Sequence, residues 1–184
     1  MAQLKMRRDA SPIVDKKLPD GFHFELFHGS EEEIERWVEL CNFGLSVDAT
    51  RESFDKSITS IKTVDPLRDC LFVADERGRY VATVTAVMRD DGDGNVHMVA
   101  SDPAIRGRGI GHAMLAKIVE MLLERGVSAI HLQTDDWRLP AIKTYLDQKF
   151  LPVIFFDPKS NMEERWEKIL GDLNYGKVDY FYKQ

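Results

Sequence analysis

The chain has 184 residues, 43% hydrophobic and 30% charged, and its 25 Lys and Arg against 31 Asp and Glu leave a net charge of −6. That is the composition of a folded domain of ordinary size; it excludes a disordered chain and a globally basic nucleic-acid or lipid binder. No apolar run approaches the roughly 18 residues of a membrane span, and residues 1–10 lack the apolar stretch of a secretory signal. Two cysteines, Cys41 and Cys70, make neither a disulfide framework nor a metal-ligand pattern. A reduced, cytoplasmic protein is expected.

Residues 1–21 are polar and end in the turn signal Leu18-Pro19-Asp20-Gly21. They read as a loose N-terminal arm, with one domain over residues 22–184. Phe22, Phe24 and Leu26 alternate with polar neighbours, a strand period. Ser30 with Glu33 forms a capping box, followed by Ile34, Trp37, Val38 and Cys41 at helix spacing. A weaker helical face carries Phe54, Ile58 and Ile61. Residues 71–74 and 80–88 are strand-like runs around a hairpin connection, and the turn 90–94 leads into a strand over 95–100. An antiparallel meander is expected there. After it, a helix over 109–124 ends at Gly126, a strand covers 127–134, and Pro140 opens a helix to about Lys149. A strand over 151–156, a helix through Met162, Trp166, Ile169, Leu170 and Leu173, and a strand over 178–182 complete the pattern. This is α+β: a mixed, mostly antiparallel sheet flanked by helices.

The most informative segment is Pro103-Ala104-Ile105-Arg106-Gly107-Arg108-Gly109-Ile110-Gly111-His112. Alternate glycines open a helix after a strand, so backbone N–H groups at the positive end of the helix dipole meet no Cβ in front of them. Such a turn suits a phosphate or diphosphate, and Arg106 and Arg108 add charge. A P-loop is excluded because no Lys-Ser/Thr ending follows. A dinucleotide fingerprint fits Gly107 and Gly109, but its third glycine would fall at His112. The acyl-CoA pattern Gln/Arg-x-x-Gly-x-Gly/Ala is matched throughout by residues 106–111.

This segment resembles the GNAT superfamily of acyl-CoA-dependent N-acetyltransferases. About 30 residues further on, the family has a strand and then a helix reading Ala-Ile-x-x-Tyr before a phenylalanine; here stand Ala141-Ile142-Lys143-Thr144-Tyr145 and Phe150. The motif match covers about residues 96–150. Three positions depart from the family: Arg138 where an asparagine often touches the pantetheine arm, Lys149 in place of a glycine, and Ser101 where an apolar residue is common.

The resemblance implies acetyl-CoA as co-substrate, with no metal, in a cleft between two parallel strands that splay apart, 95–101 and 127–134. The diphosphate would rest on the N–H groups of Arg106, Gly107, Arg108, Gly109, Ile110 and Gly111, with His112 beside them. The amide arm would pair with the backbone of Val99, Ala100 and Ser101, one N–H polarising the thioester carbonyl. Tyr145 matches the family's tyrosine and would protonate the leaving thiolate. His97 is the candidate base, since some relatives that acetylate arylalkylamines carry a histidine there and its ordinary pKa suits proton removal. The two-residue period sets His97 and Val99 on one side of their strand, opposite Val96 and Met98. Asp91, Asp93 and Glu25 are lesser candidates.

Asp91-Gly92-Asp93-Gly94-Asn95 reads as a hairpin turn and not a calcium loop, whose glycine position holds Val96. Asp135-Asp136 reads as a loop before a helix. Trp37, Phe43, Phe54, Phe155, Phe156 and Trp166 are candidate walls of an acceptor pocket. Asp157, Glu163 and Glu164 would tolerate a cationic amine. The expected partner is a small-molecule or peptide amine, with no nucleic acid and no membrane; the resemblance allows a homodimer. An acyl-CoA-binding sensor without turnover and a dinucleotide-binding reductase are the rival functions.

Overall fold

The computed structural model describes residues 2–183; Met1 and Gln184, the outermost residues of the expected arm and domain, lie outside it. The first half runs β1 (Leu4–Asp9), β2 (Phe22–Leu26), α1 (Glu31–Asn42), α2 (Arg51–Phe54), a π-helical turn (Asp55–Thr59), α3 (Pro66–Asp69), β3 (Cys70–Asp75) and β4 (Tyr80–Met88). The second runs β5 (Gly94–Ser101), a 3-10 turn (Pro103–Ile105), α4 (Ile110–Leu123), β6 (Ala129–Thr134), α5 (Leu139–Asp147), β7 (Leu151–Ile154), α6 (Met162–Asp172) and β8 (Phe181–Tyr182).

Local chemistry sets the helix entries. Ser30 Oγ accepts from the Glu33 N–H while Glu33 returns a carboxylate oxygen to the Ser30 N–H at 2.9 Å, and three glutamates occupy the first turn of α1. Both interactions satisfy or complement the free N–H end of the helix. Thr50 and Ser53 form a second box at α2.

The strands form one sheet in the order β2-β3-β4-β5-β6-β1-β7-β8. All pairs are antiparallel except β5 with β6 and β7 with β8. The α+β expectation of a mixed, mostly antiparallel sheet flanked by helices holds. Alternation along β3 and β4 divides the buried residues between two cores. Leu71, Val73, Val84 and Ala86 join one with α4, α5 and α6, whereas Cys70, Phe72 and Val87 join the other beneath α1 and α2.

The expected loose arm is corrected by β1. It lies inside the sheet, hydrogen-bonded to β6 on one side and β7 on the other. Leu4 and Met6 are 0% exposed, and burying each contributes about 1.5–3 kcal/mol. Lys5 and Arg7 alternate with them and lie over the rings of Phe155 and Phe181, at 4.5 and 4.6 Å. The three cations of the segment hid an ordinary strand period. Residues 10–21 then pass outside regular structure, held where Gln148 grips both the N–H and the carbonyl of Val14. The last strand is shorter than expected, Phe181–Tyr182, and pairs with β7 at the sheet edge.

Candidate active site: a split strand pair beside an open glycine turn

β5 and β6 pair only through Gly94 with Ile130 and Asn95 with His131. From Val96 and Leu132 onward their facing edges have no strand partner, which leaves a wedge open toward Ser101 and Thr134. The closed end is pinned by Asp93, which receives Ser128 Oγ and His131 Nε2, both at 2.9 Å. At this end Gly94 approaches α4 so closely that a Cβ would meet Leu122 at 3.1 Å.

The glycine turn follows the open end of β5. Asp102 caps the 3-10 turn through the Ala104 N–H and is itself paired with Arg36. Gly107 and Gly109 have φ of +77° and +81°, a region where an L side chain is strained. Gly109 is the N-cap of α4 and supplies no side-chain cap. Among the described residues, none of the N–H groups from Gly107 to His112 donates a hydrogen bond. A Cβ at Gly107, Gly109 or Gly111 would meet nothing within 4 Å, so the space in front of these donors is open. The free set begins one residue later than expected, because the Arg106 N–H donates to Pro103. Arg106 and Arg108 are exposed and, among the described residues, have no carboxylate partner. Donors, dipole and unpaired cations together fit a diphosphate. His112 turns its ring to Asp147 on α5 at 2.9 Å, tying the two helices.

α5 carries Tyr145 on the face it shares with Ile142 and Leu146. The phenol is 6% exposed, packs edge-on to Phe150 and, among the described residues, has no hydrogen-bond partner. Burial pushes its pKa up to about 12, against the pull of the nearby Arg138 charge. It therefore stays protonated throughout the neutral range.

His97 sits on β5 with Nε2 3.1 Å from the Ser57 carbonyl oxygen of the π-helical turn. A carbonyl only accepts, so Nε2 carries the hydrogen and Nδ1 keeps the lone pair. Burial lowers the imidazole pKa, and the Ser57 bond opposes the shift. The expected side of the strand is corrected. Met98 has φ +52° and the register with β4 shifts between Thr83 and Thr85, a bulge that breaks the two-residue period. Val96 and Val99 therefore both pack on the α4 side, while Met98 and Ala100 pack toward α1 and α2.

The other candidate bases lie elsewhere. Asp91 and Asp93 belong to the β4–β5 turn, bonded to Arg89 and to Ser128 and His131. Glu25 is on edge strand β2. Of the candidate walls, Trp37, Phe54 and Trp166 are fully buried core, Phe43 and Phe155 are half-buried, and Phe156 is exposed. Lys149, which replaces a family glycine, holds φ +64°, the conformation a glycine adopts without strain.

Sequence reading missed the loops that rim the open end. Arg138 donates Nη2 to the Leu45 carbonyl and Nε to Asp135, both at 2.9 Å, and lies over the Trp137 ring. Arg165 bonds Asp136 at 3.0 Å and stands 3.9 Å from Asp157. The aromatic residue within Asp135-Asp136-Trp137-Arg138 was the available signal.

The family model described as the acetyltransferase (GNAT) family matches residues 32–150. Mycothiol acetyltransferases from Thermomonospora curvata and Beutenbergia cavernae are each 25% identical, over 77% and 79% of this chain and 49% and 50% of theirs. The chain thus spans about half the length of these curated relatives. A GCN5-related N-acetyltransferase from Sphaerobacter thermophilus superposes with a TM-score of 0.67 at 22% identity, over 82% of this chain and 48% of that one. The ribosomal-protein-S18-alanine N-acetyltransferase from Escherichia coli gives 0.55 at 16% identity, over 68% and 74%. The family match embraces the meander, the glycine turn and the Tyr145 helix in one span: the chain belongs to the GNAT family of acetyltransferases.

Proposed function

We propose that the chain transfers an acetyl group from acetyl-CoA to a primary amine by direct attack, with both substrates bound together. The observation that carries this reading is the open wedge between β5 and β6 ending beside the uncapped N–H groups of residues 107–112. Those N–H groups, with Arg106 and Arg108, would hold the diphosphate. The free edge of β5 at Val99, Ala100 and Ser101 would pair with the amide arm, and one of its N–H groups would polarise the thioester carbonyl. Bound acetyl-CoA supplies an acyl group activated on sulfur.

The chain's residues handle the protons. A primary amine is mostly protonated at pH 7 and must lose a proton to attack. His97 Nδ1 takes it, directly or through water, as the nitrogen bonds to the carbonyl carbon. Tyr145 gives its proton to the sulfur as the C–S bond breaks. The raised Tyr145 pKa keeps that proton in place until it is needed.

Thiol release measured with acetyl-CoA and a panel of primary amines tests the proposal. Amine-dependent release supports it. Micromolar CoA binding without release from any amine would instead make the chain an acyl-CoA sensor. Calorimetry with NADH beside acetyl-CoA separates both from a reductase.

A further inference from the structure

Large apolar side chains stand unusually free around the open end of the wedge. Val47 is 88% exposed, Trp137 67% and Phe156 88%. Single exposed apolar residues are ordinary, but several at one mouth mark a recognition surface. These three share one mouth for a structural reason. β6 and β7 are each antiparallel to β1, so their C-terminal ends point the same way and place Trp137 and Phe156 on adjoining loops. Arg165 stitches those loops together, reaching Asp136 beside Trp137 and Asp157 beside Phe156. Arg138 stitches the third, holding the Leu45 carbonyl two residues from Val47 while its guanidinium lies 4.4 Å from the Trp137 ring centroid.

The three carboxylates of the loops after β6 and β7 are already matched, which leaves Asp48, exposed beside Val47, as the rim carboxylate without an ion-pair partner among the described residues. Asp135 receives Arg138 and Gln3, and Asp136 receives Arg165. Asp157 receives the Lys159 N–H, Ser160 Oγ and the Ala2 N–H. A polycationic acceptor finds no free carboxylate among these three, whereas an apolar body finds uncovered aromatic surface.

We infer that the acceptor is a primary amine borne on an apolar aryl or alkyl body, which lies against Val47, Trp137 and Phe156. This deepens the acetyl-transfer reading and rests on it. Specificity here comes from burying apolar area, so it enters through the acceptor KM and leaves the chemical step alone.

The test offers the full chain acetyl-CoA with four acceptors: 2-phenylethylamine, hexylamine, spermidine and a tripeptide with a free N-terminus. Thiol release is expected to show kcat/KM at least about tenfold higher for the two apolar amines. Trp137→Ala and Phe156→Ala change exposed residues, and each is expected to raise the phenylethylamine KM by about 3–10-fold with kcat and the acetyl-CoA KM unchanged. Preference for spermidine or the peptide, or an unmoved phenylethylamine KM in both variants, overturns the inference and leaves acetyl transfer standing. No release from any acceptor removes acetyl transfer itself; calorimetric titration of phenylethylamine onto wild type and Trp137→Ala then decides whether the apolar surface binds on its own.

Discussion

The His97 imidazole and the Ser57 carbonyl oxygen lie 3.1 Å apart, bridging β5 and the π-helical turn of the second helical segment. In an α-helix that carbonyl would accept an N–H four residues on; a π-turn changes the partner pattern and often marks a functional site. Here it fixes one tautomer of the ring and leaves Nδ1 as the basic atom. His97→Gln retains an amide donor for Ser57 and has no basic nitrogen. It is expected to fold normally, bind acetyl-CoA as the wild type does, and lose about 10²-fold or more in kcat/KM. An unchanged rate in that variant would remove His97 from the mechanism.

The lowered pKa of His97 gives a pH dependence with a definite sign. Burial disfavours the charged ring, so protonation favours the unfolded chain. The stability linked to this group is complete above the unfolded value of about 6.5 and falls as pH drops from there through the folded pKa. In the proposed mechanism the neutral ring is the base, so the acid limb of kcat/KM is expected below about 6.5. Denaturation midpoints between pH 7 and 5, compared for wild type and His97→Gln, read the stability part directly.

Tyr145→Phe removes a hydroxyl that has no hydrogen-bond partner among the described residues. Removing a hydroxyl that holds no partner breaks no protein hydrogen bond and leaves no donor or acceptor unpaired, so the stability cost is small. The variant is therefore expected to melt close to wild type and to bind acetyl-CoA, with transfer down about 10²-fold. A large fall in melting temperature together with unchanged turnover would make Tyr145 a core residue only.

Gly109→Ala and Gly111→Ala separate strain from blocking. Gly109 holds φ +81°, so its variant carries about 1–2 kcal/mol of backbone strain as well as a Cβ in the cradle. Gly111 lies in the first turn of α4 without positive φ, and alanine there improves helix propensity by about 1 kcal/mol. Gly111→Ala is expected to raise the acetyl-CoA KM while leaving the melting temperature level or higher. Acetyl-CoA affinity equal to that of the wild type in both variants would argue against a diphosphate on these N–H groups.

Asp69 is fully buried at the end of α3, bonded to Arg68 at 2.9 Å and to Arg125 at 2.7 Å. Burial works to raise its pKa and is outweighed by the hydrogen bonds of Arg68 and the Asp65 N–H and by the charge of Arg125, so the net shift is downward. Asp69→Asn removes the charge that faces Arg125, while Arg68, with its side chain 60% exposed, stays hydrated; the variant is expected to cost about 1–3 kcal/mol in a denaturant titration. The carboxylate's contribution is present above its unfolded pKa of about 3.9 and is lost as pH falls through the folded value.

Much of the local geometry of the candidate site was readable from short-range signals. Glycines at 107, 109 and 111 at the start of an apolar helical stripe dictate an exposed N–H cradle wherever the helix packs. The spacing to Tyr145 followed from the resemblance. The capping box at Ser30 and Glu33 and the β3–β4–β5 meander are likewise local, set by side chains within a few residues of one another or by the two-residue period.

The rest depended on partners distant in sequence. Residues 4–9 became a strand because β6 and β7 each present an edge to them, and Leu4 and Met6 fill the core between; three nearby cations gave no hint of that. The bulge at Met98 redirected half of β5, which no period reveals because it depends on one backbone angle held by the β4 pairing. Likewise Ser57 meets His97, and Leu45 meets Arg138, across sequence separations of 40 and 93. Sequence by itself determined the helix entry and the strand periods, since those energies are local. Which edges separate, which side chains face the gap and what rims its mouth were decided by tertiary packing, where contacts between remote segments outweigh local preference.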